Sequence, residues 1–346
     1  MIETRPGKLL DFESDVKVVE ILKAHPFLKG KDVVTVDKQL GVHPFLIFVA
    51  VGTDRLDAYR GVEIAPKSDM LAYLRGGLKL ADAPAAERLR HAFQHLQSDD
   101  FEVSLDAYRQ FAKASYLDYR SLAATLPAET IAGWLASPKT APFRYGLYAS
   151  LLGHAGAKEP EKYGKALRGM IDDPEKRNSS GIDGLLAGYT MLQPKEALRY
   201  LNDRLSDSRE EFLLRYACLR TLRFLWEDRP DIVPEKELAA AMMMAARAPD
   251  MSDFAIEDLR RWNRWETLPA VVDLFGKKGY DTTLIRKAIL RYALHAQAQG
   301  AKEASAFVAR QDPTWVRSVL QGLERETDLK KPYERDGGKA KTTKTK

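Results

Sequence analysis

The residues best suited to chemistry lie in the stretch IEDLRRWNRWETL, where Arg260, Arg261 and Arg264 interleave with Trp262 and Trp265. Guanidinium groups alternating with indoles on one helix could contact phosphates and stack on bases, as in a nucleic-acid interface or a base-excising site. The same spacing also fits a packed helix. Asp253, Glu257 and Asp258 stand where they can pair with the arginines, and Trp262 and Trp265 share an apolar stripe with Leu259 and Leu268. The expectation is therefore core tryptophans beside neutralised arginines, with Arg260, Arg261, Trp262, Arg264 and Trp265 kept as the candidate binding surface.

A second constellation is Glu87, His91 and His95 in ERLRHAFQHL, a spacing that sets three ligands along one helix face. A zinc-protease helix carries a glutamate directly after its first histidine, and Ala92 stands there, so a solvated face opposite Leu89, Phe93 and Leu96 is expected instead. His154 and His295 each close an apolar helix, where an imidazolium can meet the carbonyl end of the dipole. Cys218 is the sole cysteine, in LLRYACLRTL, which excludes an internal disulfide and reads as a small buried hydrophobe. Met242, Met243 and Met244, flanked by alanines, read as filler in a closely packed helix. No GxSxG, Walker-type or GxGxxG stretch occurs, so no catalytic residue, metal or cofactor is expected.

These residues need elements to hold them. Short β-branched or aromatic runs at Val16 to Ile21, Val33 to Val36, Phe45 to Val51 and Leu56 to Ile64 predict about four strands over residues 15–66, behind a flexible N-terminus at 1–14. From Ser68 onward apolar residues recur at helical spacing, and Pro and Asp clusters cut the pattern into helices of no more than about twenty residues. The pattern then repeats. FRYGLYASLL, LLRYACLRTL and LIRKAILRYAL align Arg144, Arg215 and Arg286 at intervals of 71 residues, with Gly146, Ala217 and Ala288 two positions later in each. Gly184 and Ala255 fill the corresponding slot in the intervening units, and Ala107 fills it in an earlier one. A small residue once per unit marks a close helix crossing, where a larger side chain would hold the backbones apart. Glu210 or Glu211 before Arg215, and Asp281 before Arg286, suggest that the arginines form a structural ladder between units.

The segments HPFLKGKDVVTV, DAYRGV, APFRYGLYASLLGHAG, DDPEKRNSSGIDGLLAGYTML, FAIEDLRRWNRW and IRKAILRYALHA resemble an uncharacterised bacterial family of HEAT-repeat-like proteins, over roughly residues 15 to 326. The resemblance implies a small β element, similar to part of an OB-like barrel, joined to a helical array, and it implies no catalytic motif. Many members begin with an export signal and a cysteine-containing segment. The present sequence opens without one and has Ala155 in GHAG where cysteine is expected in relatives, so no redox or metal role carries over. As written, the chain is expected in the cytoplasm, or exported if an upstream signal segment is missing.

Composition bounds the partners. Four of the five net positive charges lie in GGKAKTTKTK, the last ten of 346 residues, so the body is almost neutral and poorly suited to a nucleic-acid cradle. No apolar run approaches the ~20 residues that span a bilayer, so membrane insertion is not expected. The fold expected is mainly α: an α-α superhelix of the HEAT or armadillo type over 67–326, a small β-rich OB-like element before it, and a basic disordered tail at 327–346. The function expected is a non-enzymatic scaffold binding a protein partner through the concave surface of the array. The alternative is a nucleic-acid-binding or base-excising protein using residues 257–265, which requires Trp262 and Trp265 to be exposed beside an unpaired acid.

Overall fold

A computed structural model describes residues 3–5, 13–36, 39–41, 44–51, 56–177 and 179–329. Seventeen α-helices and five β-strands occur among the described residues, and the chain divides into two units, Met1–Leu126 and Pro127–Lys346. The expected tail lies outside the described residues from position 330 on. Among the described residues, no helix is long and apolar enough to cross a membrane.

In the first unit β1 (Glu3–Arg5), β2 (Glu13–Lys17) and β3 (Val33–Val36) form an antiparallel sheet, and β4 (Phe45–Val51) pairs with β5 (Leu56–Glu63). β1 and the start of β2 fall in the segment expected to be flexible. The strand expected at Val16 to Ile21 is displaced upstream and ends at Lys17, leaving Val19 94% exposed. Its inner face is set by Ser14 and Val16. The Ser14 hydroxyl accepts the Leu40 N–H at 3.2 Å, so a polar side chain serves a buried position that an apolar pattern would not reveal. Val16, Val36 and Leu40 form a small core, which Val34, Phe45 and Ile47 extend.

Four helices share this unit: α1 (Met70–Lys79), α2 (Ala85–His95), α3 (Phe101–Lys113) and α4 (Tyr116–Ala123). The two compact units divide at Leu126, while the change from strands to helices comes between Glu63 and Met70. Asp100 caps α3 by accepting the N–H groups of Glu102 and Val103, and Ser115 and Asp118 form a reciprocal capping box on α4. Arg75 of α1 pairs with Glu20, tying that helix to the segment after β2.

The second unit holds α5 (Ala128–Ala136), α6 (Tyr145–Ala155), α7 (Pro160–Asp172), α8 (Pro174–Arg177), α9 (Ile182–Leu192), α10 (Pro194–Ser206), α11 (Phe212–Asp228), α12 (Glu235–Ala246), α13 (Ser252–Arg261), α14 (Leu268–Val272), α15 (Thr283–Ala298), α16 (Lys302–Val308) and α17 (Pro313–Leu329). Two kinds of helix follow from their sequences. α7 buries a single stripe, Tyr163, Leu167, Met170 and Ile171, and turns its charges outward. α9 and α15 bury residues on most sides: α9 packs against α6, α7, α10 and α11, and α15 packs against α13, α14, α16 and α17.

Contacts between helices recur at one sequence offset. Arg215 with Asp250, Arg223 with Asp258, Arg260 with His295 and Arg291 with Glu326 each span 35 residues. Within each neighbouring pair two contacts rise together along both chains, Arg215–Asp250 with Arg223–Asp258, Glu257–Arg291 with Arg260–His295, and Arg286–Trp315 with Arg291–Glu326, so α11, α13, α15 and α17 run parallel.

The recurring small residues do mark close approach where α6 crosses α9. A Cβ on Gly184 would fall on the Gly146 backbone, one on Gly188 would fall on the Ala149 carbonyl, and one on Gly153 would sit 2.9 Å from the Gly188 Cα. Ala217, Ala255 and Ala288, at the equivalent positions, are all buried. The recurring arginines share no single partner. Arg144 is buried and donates to the Tyr148 hydroxyl, whereas Arg286 is exposed and lies over the rings of Phe275 and Trp315. Arg215 grips both carboxylate oxygens of Asp250 and donates to the Glu210 carbonyl, while the Glu210 carboxylate pairs with Arg204. The acid that holds Arg215 therefore comes from the next unit, not from the preceding residues.

Candidate functional site

The helix that carries the arginines and tryptophans stops at Arg261. Trp262 caps it, and Asn263 adopts a left-handed φ of 57°. The N–H groups of Asn263 and Arg264 donate back to the carbonyls of Arg260 and Leu259 at 3.2 and 3.0 Å, which closes the helix in a Schellman turn. Arg264 and Trp265 consequently sit on a separate turn, and the five residues do not share one helix face.

Burial removes two of them from any surface. Trp262 is 5% exposed and stacks on Trp226 of α11, with centroids 4.4 Å apart and planes 10° from parallel. Arg260 is buried and pairs with Glu257 at 2.7 Å. Arg264 lies 5.0 Å from the centre of the Trp226 ring and pairs with Glu235 at 3.0 Å, and half-buried Trp265 sets an edge against Tyr292. Arg261 alone keeps a largely exposed side chain, 3.8 Å from Asp258.

What the region builds instead is a charge ladder across parallel helices. Asp183 of α9 pairs with Arg220 of α11, and Asp258 of α13 pairs with Arg223 of α11 at 2.6 Å. Glu257 of α13 then holds Arg260 and, at 2.6 Å, Arg291 of α15, which also reaches Glu326 of α17. Burial pushes the Asp258 carboxyl upward against the pull of Arg223. Burial, followed by the charges of Arg260 and Arg291, lowers the pKa of His295. The lowered pKa disfavours the charged cap expected of His295, whose Nδ1 lies 3.4 Å from Arg260.

Above this ladder lies an open hollow of about 250 Å³ bounded by α11, α13 and α15. Its rim is apolar. Phe212 stacks on Tyr216, and Tyr216 meets the edge of Phe254 at 5.5 Å. Leu213 and Leu284 are 74% and 68% exposed, large values for leucines at the start of long helices. Helical spacing alone would assign such residues to a core. The signal that could have found them is the repeat itself, since each stands two positions before the recurring arginine. Chemically, this surface offers apolar contact, the cations Arg223, Arg261, Lys287 and Arg291, and the acids Asp253 and Glu257.

The histidines of α2 also differ from expectation. His91 and His95 are half-buried against Tyr73 of α1, His91 stacking on its ring at 5.2 Å and His95 meeting it edge-on at 5.0 Å. His91 Nε2 lies 2.9 Å from the Tyr73 carbonyl, and His95 Nδ1 lies 3.0 Å from an Asp69 oxygen whose partner oxygen accepts from Ser98. The Tyr73 hydroxyl donates to Asp106 at 2.6 Å. Glu87 stays exposed, and among the described residues no three His, Cys, Asp or Glu side chains are grouped to hold a metal. Cys218 is fully buried, and burial raises its thiol pKa, which suppresses the reactive thiolate. No protein-family model matches the chain, and no curated protein or solved structure is significantly similar to it.

Proposed function

We propose that the chain is a non-enzymatic scaffold whose second unit is a HEAT-type superhelix and binds a protein partner across α11, α13 and α15, the side that would be concave in such an array. The observation that carries this reading is the row of exposed Phe212, Leu213, Phe254 and Leu284 on parallel helices, beside the paired Arg223–Asp258 and Arg291–Glu257. Apolar side chains aligned in water favour a partner that covers them, and stacked helices present such rows as continuous surfaces. The 71-residue repeat and the resemblance to HEAT-repeat-like proteins support the same reading, with the β element as part of an OB-like barrel. The nucleic-acid alternative needs Trp262 and Trp265 exposed beside an unpaired acid, and it draws no support from a buried Trp262 stacked on Trp226, a half-buried Trp265 set against Tyr292, and Asp258 held by Arg223.

The test is photo-crosslinking in extracts of cells making the full chain, with benzoylphenylalanine placed at Leu213, at Leu284, or at the exposed Arg199 of α10. The expected result is one shared protein adduct from the first two positions and none from the third. Equal labelling from all three, or none from any, would overturn the scaffold reading.

A further inference from the structure

We infer that the α11, α13 and α15 groove takes an extended, acidic protein segment bearing an apolar residue at about every third position. This deepens the scaffold reading and rests on it. The spacing comes from helix packing: neighbouring helices lie ~8–10 Å apart, and three residues of extended chain span ~10 Å, so one apolar anchor falls opposite each helix. The anchors' seats are Phe254 on α13 and Leu284 on α15, which line the hollow, and exposed Phe212 and Leu213 at the start of α11, beside it through the ring contacts of Phe212 with Tyr216 and Tyr216 with Phe254.

Charge selects the residues between the anchors. Among the groove's charged groups, Arg223 is held by Asp258, and Arg291 by Glu257 and Glu326. Arg261 keeps only a 3.8 Å approach to Asp258, and exposed Lys287 has no ion pair among the described residues. These two cations are left to meet carboxylates from outside. Asp253 is the groove's acid without an ion pair among the described residues, and it opposes such a ligand. Removing its charge should therefore tighten binding, a response that a purely apolar groove would not give.

The experiment is fluorescence anisotropy on the full chain with a fluorescein-labelled peptide of three Leu-Glu-Asp repeats. Matched peptides replace the leucines by glycine or the acids by lysine, and an oligothymidylate provides a nucleic-acid arm. The Leu-Glu-Asp peptide is expected to bind, and the glycine and lysine versions to bind at least about tenfold more weakly. Lys287→Glu and Leu284→Asp should each weaken it about tenfold, and Asp253→Asn should strengthen it about threefold, with unchanged thermal unfolding of each variant. Equal binding of the glycine peptide, indifference to Lys287→Glu, or tighter binding of the oligothymidylate at the same residues would overturn the proposal. If that happens while the Leu213 and Leu284 cross-links persist, the scaffold stands and only the class of segment is wrong.

Discussion

Where α6 crosses α9, the helices meet backbone to backbone through Gly146, Gly184 and Gly188; α11, α13 and α15 instead carry Ala217, Ala255 and Ala288 at the places of Gly146 and Gly184, with Leu259 at the place of Gly188, and arginine pairs bridge the seams. The first seam leaves no room for anything else. The second leaves charged side chains reaching between helices and a hollow above them. Small changes in side-chain size at matching positions of the repeat thus give either a sealed joint or an open hollow. The difference teaches that the small residue sets how close helices come, while the residues a turn further along decide what the remaining space is for.

The sharpest way to break this contrast is to exchange the methyl. Gly184→Ala should cost about 3 kcal/mol, because the displaced atoms are backbone and cannot rotate away. The reverse change at the matching site, Ala255→Gly, should cost only about 1 kcal/mol, the helix-propensity difference. Denaturant unfolding of both variants measures this, and equal losses would mean that the two seams are packed alike. Next in size is Asp250→Ala. It leaves the buried Arg215 guanidinium without its carboxylate and should cost about 2 kcal/mol, moderated because Asp250 itself is half exposed. An unchanged midpoint would show that water replaces the carboxylate fully.

The smallest expected effect is a pH response of the charged seam. His295 has a folded-state pKa below its ordinary 6.5, through burial and then Arg260 and Arg291. The unfolded chain therefore binds the proton first, and stability declines as pH falls from 6.5 towards the lowered value, then levels. His295→Gln should flatten that part of the stability profile. A decline of the same size in the variant would assign it to another group.

How much of this was legible in the sequence depends on where the partner of each residue lies. The helical character of the chain and the close crossing at Gly146 and Gly184 were readable, because spacing and residue size are local signals that the repeat amplifies. Core packing of Trp262 was readable from its stripe. Its stacking on Trp226 was not, because that ring belongs to another helix, and neither was the break at Asn263, where helical spacing continues through a residue that turns the backbone. Asp250 escaped as the partner of Arg215 because it lies 35 residues away. The histidines of α2 escaped for the same reason, since Tyr73 lies on a different helix. Ser14 hid the true position of β2 by occupying an inner place with a hydroxyl.

The constant offset of 35 residues has a kinetic consequence. These four rungs each close a loop of the same length, and Glu257–Arg291 and Asp183–Arg220 close loops of 34 and 37 residues, so the entropic toll of a rung is nearly uniform. A nearly uniform toll favours no rung as the starting point, so folding is expected to begin at whichever pair forms its helices first.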